Sequence, residues 1–284
     1  MELIRSVFDL YGTAILVMVF LILFLVETRF ALRKRVHNRW KRLLINFGIS
    51  LPSFALMRLA FIPIMVWLAY ENENWQIGLN YFYEAPIWFK GIAAFLLLDY
   101  SNYLWHVILH KMPLMWRFHL VHHTDLDLDL TTAFRFHFGE MIGSIIFRGM
   151  AVLLFGVSPV MVLIYEIAFD ASNQFQHSNS KLPLKFEKFL NKIFVTPRMH
   201  GIHHSMKKQE ADSNYSIVFS FWDRLHRTIR VNIPQDCIQI GVPVYPDVKE
   251  LNFLKLLKLP FTKIRPWKED TKIPERDDAG TLKK

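Results

Sequence analysis

Four clusters of histidines are the feature of this sequence most able to carry chemistry. They occur along the chain as a His-x-x-x-His pair, a His-x-x-His-His box, a single histidine and a second His-x-x-His-His box. On a helix, positions i, i+3 and i+4 lie on one face, so each cluster can direct several imidazoles to one point. So many imidazoles exceed the three or four ligands of a mononuclear site and predict two metal ions. The candidate ligands are His106, His110, His119, His122, His123, His177, His200, His203 and His204.

The ligand chemistry narrows the class of metal site without choosing the metal. The single cysteine, Cys237, excludes a thiolate cluster, so nitrogen or oxygen atoms must bind any metal. His106 is followed by Val-Ile-Leu and not by a glutamate, so the pair is not the metalloprotease motif. Neutral imidazole binds iron, copper, zinc and nickel alike. Two redox metals beside an apolar chain would favour oxygen activation.

Several polar residues are candidates for supporting roles at the same site. Asp99 and Tyr103 share one helical face with His106 and His110. Asp99 lies about 10 Å along the axis from His106, so we expect it to accept the ring N–H of a histidine from another helix. A snorkelling or Lys/Arg-paired aspartate is the alternative. Asn173 lies one helical turn before His177 and is a further candidate.

His137 belongs to a second polar group, together with Arg135 and Glu140. It could support a metal ligand, shape the mouth of a substrate site, or lie on the surface. We retain it as a candidate catalytic residue with Asp99, Tyr103 and Asn173. His37 and His226 stand outside the clusters and are interpreted as ordinary histidines.

The segments that carry these residues have the composition of a membrane protein. Apolar residues make up 52% of the chain and charged residues only 21%, and the apolar residues are bunched. Residues 10–26 contain no charge, which is close to the shortest length for a spanning helix. Residues 43–70 form a second apolar stretch interrupted by Pro52, Arg58 and Pro63, and the chain returns from Pro86 to about Trp105. The histidine clusters therefore begin where the third span ends.

Charge predicts the orientation of these spans. The net charge of +9 could indicate a nucleic-acid partner, but basic residues concentrate at 29–42, between two apolar stretches. Such a segment is typical of a cytoplasmic loop, so the N-terminus is expected outside and no nucleic-acid partner is expected. Residues 141–168 form a last apolar stretch, broken at Gly156, Ser158 and Pro159. Two arms of about 11–14 residues are too short to cross, so a re-entrant hairpin is predicted.

Together these patterns predict an all-α fold. We expect a multi-pass transmembrane bundle of about three spans plus the re-entrant hairpin, with a cytoplasmic helical cap holding the histidine boxes. The expected divisions are an N-terminal transmembrane region (1–85), a catalytic domain (86–230) and a cytoplasmic or interfacial tail (231–284). Within the tail, residues 248–259 suit an interfacial amphipathic helix or, equally, a helix packed on the cap. The last 20 residues are highly charged and are expected to fray.

The histidine boxes and their neighbours resemble the fatty acid hydroxylase / sterol desaturase superfamily of integral-membrane di-iron enzymes. The resemblance covers residues 92–228 and follows the family's order, through DYSNYLWHVILH, MWRFHLVHH, TTAFRFH, NQFQHSN, TPRMHGIHH and NYSIVFSFWDRL. It implies that the nine histidines bind two iron ions, with one of them, first of all His119, acting without direct contact. It also implies O2 as co-substrate and a lipid substrate. No cytochrome b5-like segment is seen, so electrons are expected from a separate reductase.

Two departures leave the substrate class open. The family's Arg-x-His-Pro-x-Glu appears here with Phe138 in place of proline, and its Trp-Asp-x-x-Phe-Gly-Thr ending appears with His226 and Arg227. Sterols, carotenoids, fatty acyl chains and ether lipids all remain possible substrates. Hydroxylation is preferred to desaturation, although both begin with the same hydrogen abstraction.

Two other classes of protein compete with this interpretation. A metal-dependent membrane hydrolase would need a general-base carboxylate, for which Asp99 and Glu140 are the candidates. A non-catalytic lipid-binding or scaffold protein would retain the histidines as a relict site. Against the second alternative, folding a helical bundle does not require clustered histidines.

Overall fold

The computed structural model describes residues 8–274, and helices dominate that range. Three isolated β-bridges are the only extended pairing between these residues, so the predicted all-α class is confirmed. The helices are α1 (Thr13–Arg29), α2 (Arg39–Leu56), α3 (Ile62–Trp75), α4 (Ile87–Lys111), α5 (Pro113–His123), α6 (Phe138–Phe155), α7 (Pro159–His177), α8 (Leu184–Leu190), α9 (Pro197–His203), α10 (Lys208–Ala211), α11 (Phe221–Leu225) and α12 (Phe253–Lys258).

Within residues 8–274, four helical segments are long and apolar enough to cross a membrane. The second of them is one continuous helical path, because a single π-type turn at Met57–Phe61 joins α2 to α3. Neither Pro52 nor Pro63 ends it: Pro52 lies inside α2, and Pro63 lies in the first turn of α3, directly after the π-type turn. The four segments are Leu10–Arg29, Arg39–Tyr81, Ile87–Lys111 and Phe138–Phe155.

The predicted hairpin is formed by α6 and α7, and it returns to the end of the bundle from which it starts. The two helices meet at Gly156, whose φ of +68° ends α6 in a left-handed turn. Asn72, near the end of α3, donates to the carbonyl oxygens of Val152 and Leu153 at 3.2 and 3.3 Å. The tip of the hairpin therefore lies at the level of the loop after α3, at the opposite end from the histidines.

The arms of this hairpin are longer than the apolar pattern indicated. They contain 18 and 19 residues, about 27 and 28 Å of helix, which is close to the thickness of the hydrocarbon core. The sequence suggested shorter arms because only the apolar residues 141–168 were counted, whereas the two helices continue beyond that stretch at both ends. Glu140 and Asn173 are helical and buried, and both line an internal cavity. The two helices therefore continue through these polar residues.

Gly78 is required where the loop after α3 packs on the hairpin tip. Its φ is +95°, and a Cβ atom there would lie 2.4 Å from both the Gly156 nitrogen and the Leu153 oxygen. We expect Gly78→Ala to lower the free energy of unfolding by about 1–3 kcal/mol, because both clashing atoms belong to the backbone. Thermal unfolding in detergent measures the effect. Gly48→Ala is the control, since its Cβ would meet only the Phe253 ring at 3.4 Å; equal melting temperatures for the two variants would contradict the prediction.

The remaining short helices form a cap over the histidine end of the bundle. Within residues 248–259 the structure places a short turn and α12, and Leu256 is fully buried against residues of α2 and α5. Packing on the cap is therefore the observed alternative, although Leu254 on the same helix is 62% exposed. The predicted fraying concerns the last 20 residues, of which 275–284 lie outside the described range.

The basic segment at 29–42 lies at the same end as the histidines. Arg33 is buried and donates to the carbonyl oxygen of Pro197, the first residue of α9, at 3.3 Å. Arg42 is also buried and pairs with Asp125, two residues after the first His-x-x-His-His box. The placement of the basic loop beside the histidine boxes agrees with the sequence prediction.

Candidate metal centre

The nine candidate histidines come together as two adjacent groups. Each histidine is buried, and in each group the potential ligand atoms lie within 4.8 Å of one another. The five-histidine group contains His106, His110, His119, His123 and His203. The four-histidine group contains His122, His177, His200 and His204. The groups touch, because the His123 and His204 rings lie 4.5 Å apart, centroid to centroid.

Helical periodicity explains how the boxes are divided between the groups. Residues four apart lie on one face of a helix, and each such pair enters a single group. His106 and His110 of α4 join the five-histidine group, as do His119 and His123 of α5. His200 and His204 join the four-histidine group. The middle histidine of each His-x-x-His-His box, His122 or His203, belongs to the other group. Each box therefore contributes ligands to both histidine groups.

In the five-histidine group, hydrogen bonds orient most rings through Nδ1. His106 Nδ1 lies 2.8 Å from the Tyr215 carbonyl oxygen, and His203 Nδ1 lies 2.7 Å from the Ser213 carbonyl oxygen. His119 Nδ1 lies 3.1 Å from a Glu140 carboxylate oxygen. These acceptors require the proton on Nδ1, which leaves the Nε2 lone pair available to a metal.

The Nε2 atoms of these three rings are the observation that fits a metal. All three are buried and have no hydrogen-bond partner among the residues that the structure describes. A buried nitrogen without a partner costs free energy, and a bound cation would remove that cost. The five-histidine group therefore has the orientation and the free lone pairs of a metal site. His119, the least certain ligand by sequence, shares both properties with His106 and His203.

In the four-histidine group, the Nε2 atoms themselves lie close to one another. The Nε2 of His177 lies 3.0 Å from that of His122 and 2.9 Å from that of His200. His204 Nε2 lies 3.1 Å from His200 Nε2. Two nitrogens bound at a right angle to one metal, at about 2.1 Å each, would lie about 3.0 Å apart. Among these rings only His177 has an Nδ1 partner within residues 8–274, the Asn173 carbonyl oxygen at 2.8 Å.

Burial also keeps the cap histidines in the form that binds metals. It lowers the pKa of His122, His123, His200 and His204 well below the usual range, and the neighbouring histidines lower each pKa further. Burial lowers the pKa of His203 to about 3, although its bond to the Ser213 carbonyl opposes this. Neutral imidazole is the ligand form, so these rings need no deprotonation at neutral pH.

Asp99 has a different role from the one expected. Its carboxylate accepts hydrogen bonds from the Trp222 indole at 2.8 Å, the Tyr165 hydroxyl at 3.2 Å and the backbone N–H groups of Val218 and Phe219. None of these donors is a histidine, so the expected ring partner is not found. Asp99 instead ties α4 to residues 218–222, the segment that follows the Tyr215 carbonyl.

Tyr103 and His137 lie beside the centre without contacting either group through a hydrogen bond. The Tyr103 hydroxyl lies 3.0 Å from the Thr228 hydroxyl, and its ring stacks on His226. His137 caps α6 by accepting the Gly139 N–H at Nδ1 and lies 3.1 Å from the Leu257 carbonyl through Nε2. It is fully buried, which excludes the surface alternative, and it joins α6 to the C-terminal segment.

Asn173 is closer to the chemistry. Its side-chain amide donates to the Ala133 carbonyl at 3.0 Å, while its own backbone oxygen orients His177. It also lines the internal cavity. Of the four predicted catalytic residues, Asn173 is the one that the structure places beside a histidine group and the cavity together.

Glu140 was considered from the sequence only as part of a polar group with His137 and as a general base of the hydrolase alternative. It contacts His119 and lines the cavity, which is the supporting role expected of Asp99. The sequence feature that could have indicated this role is the spacing of Glu140, three residues after His137. The backbone carbonyls of Ser213 and Tyr215 left no signal, because a main-chain acceptor can belong to any residue type.

A buried ionic network holds the segment after the first His-x-x-His-His box. Arg42 donates from Nε and Nη2 to the two oxygens of Asp125, at 2.8 and 2.7 Å. Asn46 donates to the same carboxylate and accepts from Arg135, which also donates to the Val121 carbonyl at 2.8 Å. Burial alone would raise the pKa of Asp125, but Arg42 and Arg135 outweigh it and hold the pKa below its usual range. The network therefore remains ionised and fixes α5 against α2.

One cavity opens on both histidine groups. It has a volume of about 530 Å³, which is typical of ligand sites. Phe20, Phe54 and Phe61 are among its apolar walls, and α1 contributes one side. The histidines that line it are His106, His119, His122, His177 and His200. The site can therefore hold an apolar molecule with one end against both groups.

We expect Asp99→Asn to reduce stability without removing metal. An amide NH2 would face N–H donors that now donate to the carboxylate, so the free energy of unfolding should fall by about 1–3 kcal/mol. Metal content of the folded fraction should stay close to that of the unmodified protein, because Asp99 contacts no histidine. Glu140→Gln is the matched comparison, since that carboxylate contacts His119 directly and its loss should weaken metal binding by about 10–100-fold. Metal loss from Asp99→Asn at unchanged melting temperature would contradict this division of roles.

Comparison with known proteins agrees with this geometry. A sequence model of the fatty acid hydroxylase family matches residues 91–228, the span that contains all nine histidines. The chain is 30% identical over 164 residues to human alkylglycerol monooxygenase, covering 56% of this chain and 34% of that protein. It is 27% identical over 179 residues to an ornithine lipid hydroxylase of Rhizobium tropici, covering 62% and 50% of the two chains.

Human cholesterol 25-hydroxylase is also similar, at 25% identity over 142 residues, or 49% of this chain and 50% of that one. The chain thus spans about a third to a half of the length of these relatives. No solved structure gives a significant match.

Proposed function

Because this chain belongs to the fatty acid hydroxylase superfamily, we propose that it is an integral-membrane oxidoreductase that hydroxylates a C–H bond of a lipid. The observation that carries the proposal is the pair of buried histidine groups opening on a single apolar cavity. The relatives named above are hydroxylases or monooxygenases, which supports hydroxylation over desaturation. Sterols, fatty acyl chains and ether lipids remain the candidate substrates.

We propose iron for both groups. The four-histidine and five-histidine groups would each hold one ion, with His106, His119 and His203 presenting free Nε2 lone pairs in the larger one. Iron there would supply the activation of O2 and the oxidation of an unactivated C–H bond. A separate electron-donor protein would supply the electrons. The larger group has one histidine more than the smaller, so a histidine without direct metal contact would lie there.

The protein itself would bind and orient the lipid. The reacting carbon would lie at the cavity end formed by His106, His122 and His177, which come from both groups. Phenylalanine side chains along the cavity would exclude water from the reacting end. Glu140 would hold the proton on His119 Nδ1 and so keep that ring in its ligand orientation.

Metal analysis with lipid mass spectrometry tests the proposal. The purified chain should hold about two iron equivalents and, with O2 and a reductant, add one oxygen atom to a membrane lipid. Loss of two hydrogen atoms instead would identify a desaturase. Fewer than about two metal equivalents after iron reconstitution would overturn the di-iron assignment. Product formed under argon without reductant would favour the hydrolase alternative, in which Glu140 would be the base.

We also propose that the histidine end faces the cytoplasm, as the basic segment at 29–42 predicts. Thr124 and Ser180 flank the boxes but are fully buried, so cysteines placed there would not label from either side. The native Cys237 is exposed on the cap and can serve as the probe. An impermeant thiol reagent should not label it in intact cells.

The matched variant combines Cys237→Ser with Asn74→Cys. Asn74 is exposed near the end of α3, at the opposite end of the bundle. This variant should label in intact cells, and Cys237 should label only after permeabilisation. The reverse pattern would place the histidine groups outside.

A further inference from the structure

A charged cluster lies in the membrane-embedded part of the same cavity, away from the histidines. Its members are Arg148 of α6 and Glu166 and Asp170 of α7, and all three line the cavity. Arg148 and Glu166 are 6% and 7% exposed. Ionisable side chains cost free energy inside a membrane. Their presence in a cavity therefore indicates a functional site.

The contacts of the cluster are incomplete. An Arg148 Nη2 donates to Glu166, and the guanidinium lies 4.7 Å from the ring centroids of both Phe61 and Phe169. These contacts satisfy one end of Arg148 and one oxygen of Glu166. Asp170 has no hydrogen-bond or ion-pair partner within the described range of 8–274, although Arg148 and Glu166 are its charged neighbours. The cluster therefore has an acceptor left over, and it faces the cavity.

The distance from the cluster to the histidines is set by α7. Asp170 precedes His177 by seven residues and Glu166 precedes it by eleven, so the two carboxylates lie about 10 and 16 Å from it along the helix axis. His177 belongs to the four-histidine group and lines the cavity. A molecule that reaches from the histidines to the cluster must therefore be about that long.

We propose that Arg148, Glu166 and Asp170 form a subsite for a hydroxyl group of the lipid, about 10–16 Å from the carbon that the histidine end receives. The subsite would select lipids that carry a neutral hydroxyl at this distance over lipids that are purely hydrocarbon there. The identification of the histidine end as the reacting end rests on the proposed function. The binding role of the cluster does not.

A hydroxyl suits this cluster better than other groups. It can donate to the unpartnered Asp170 carboxylate and accept from Arg148, so it satisfies both with one oxygen atom. A carboxylate or phosphate would face two acidic side chains and only one basic one. A hydrocarbon end would place an apolar surface against the Asp170 carboxylate and leave it without a partner, which costs more than an unused polar group in water.

Equilibrium binding to the purified full chain tests the subsite without turnover. The probes are a twelve-carbon α,ω-diol and the primary alcohol of the same length, which differ only in the second hydroxyl. The unmodified chain should bind the diol about tenfold to a hundredfold more tightly, as expected for a hydrogen bond to a charged group. Asp170→Leu should abolish this preference, and Asp170→Asn, which keeps an acceptor, should retain part of it.

Ser144→Ala is the matched control, because Ser144 lines the same cavity one turn of α6 before Arg148. It should keep the full preference for the diol. Equal binding of diol and alcohol by the unmodified chain, or an unchanged preference in Asp170→Leu, would overturn the subsite. So would tighter binding of the twelve-carbon amino alcohol than of the diol, which would indicate a cation site.

The two proposals fail separately. Binding requires neither O2 nor reductant, so a chain that prefers the diol through Asp170 but oxidises no lipid would overturn only the proposed function. A chain that oxidises lipid but binds both probes equally would overturn only the subsite.

Discussion

Replacing His177 by alanine should remove one metal ion and abolish activity. The residue belongs to the four-histidine group, where its Nε2 lies within 3.0 Å of two neighbouring Nε2 atoms. Loss of a group that only orients a metal ligand costs about 10–100-fold in affinity or activity, and loss of a ligand should exceed that. Metal content should fall from about two equivalents to about one, with a loss of activity greater than about a hundredfold.

His203→Ala should produce the same result at the other group. The remaining ion should then be bound by the four-histidine group, so combining the two substitutions should remove both ions. His226→Ala is the control, because that histidine is exposed and stacks on Tyr103 outside both groups. Full metal content and activity in His177→Ala would contradict the assignment and would favour a non-catalytic scaffold.

Replacing Asp125 by alanine should have the largest effect on stability. The substitution removes the carboxylate that accepts two hydrogen bonds from Arg42 and whose charge lies close to Arg135. Buried Arg42 keeps Asp129 as an ion-pair partner, so the free energy of unfolding should fall by about 3 kcal/mol, the lower end of the cost of breaking a buried ion pair. The melting temperature in detergent should fall steeply. Because Arg135 also donates to the Val121 carbonyl, the residual folded protein should bind metal more weakly through His122 and His123.

Glu250→Gln is the matched control for this prediction. Its carboxylate pairs with Arg265 at 2.6 Å, but both side chains are substantially exposed, and such pairs contribute at most about 1 kcal/mol. A similar loss of stability in the two variants would show that burial of the Arg42–Asp125 pair is unimportant.

The contribution of Asp125 should also depend on pH in a defined direction. Its pKa is lower in the folded protein than the ordinary value of 3.8, so its stabilisation is fully present above that value. It should be lost progressively as the pH falls below about 4 and the carboxylate becomes protonated. The difference in melting temperature between the unmodified chain and Asp125→Ala should therefore narrow in acid.

Spacing along the chain was sufficient to predict which histidines come together as candidate metal ligands. A helix repeats every 3.6 residues whatever surrounds it, so His106 and His110 had to share a face, as did His119 and His123. The lengths of the apolar segments predicted the membrane helices for a similar reason, since the bilayer thickness sets the number of residues needed to cross it. These properties depend on local backbone geometry and composition, and they are readable without knowing which helices are neighbours.

The ends of the two hairpin helices were harder to predict, because a polar residue can lie either in a loop or on a helix that faces an internal cavity. Glu140 and Asn173 lie outside the apolar stretch 141–168, but both belong to the helices of the hairpin and line an internal cavity. The prediction that Asp99 accepts a hydrogen bond from a histidine ring was also wrong. Burial and helical face were correct, but the donors to the carboxylate are Tyr165 on α7 and residues 218–222, which lie more than a hundred positions away.

The sequence by itself therefore determined which residues could bind metal, which segments could cross a membrane and the family of the chain. Only the tertiary structure decided that the middle histidine of each His-x-x-His-His box enters the other group, that Glu140 contacts His119, and that Arg148 pairs with Glu166. Each of these is a contact between different helices. Such contacts depend on the rotation and depth at which helices pack, and those are set by the fit of many side chains together and not by any local spacing.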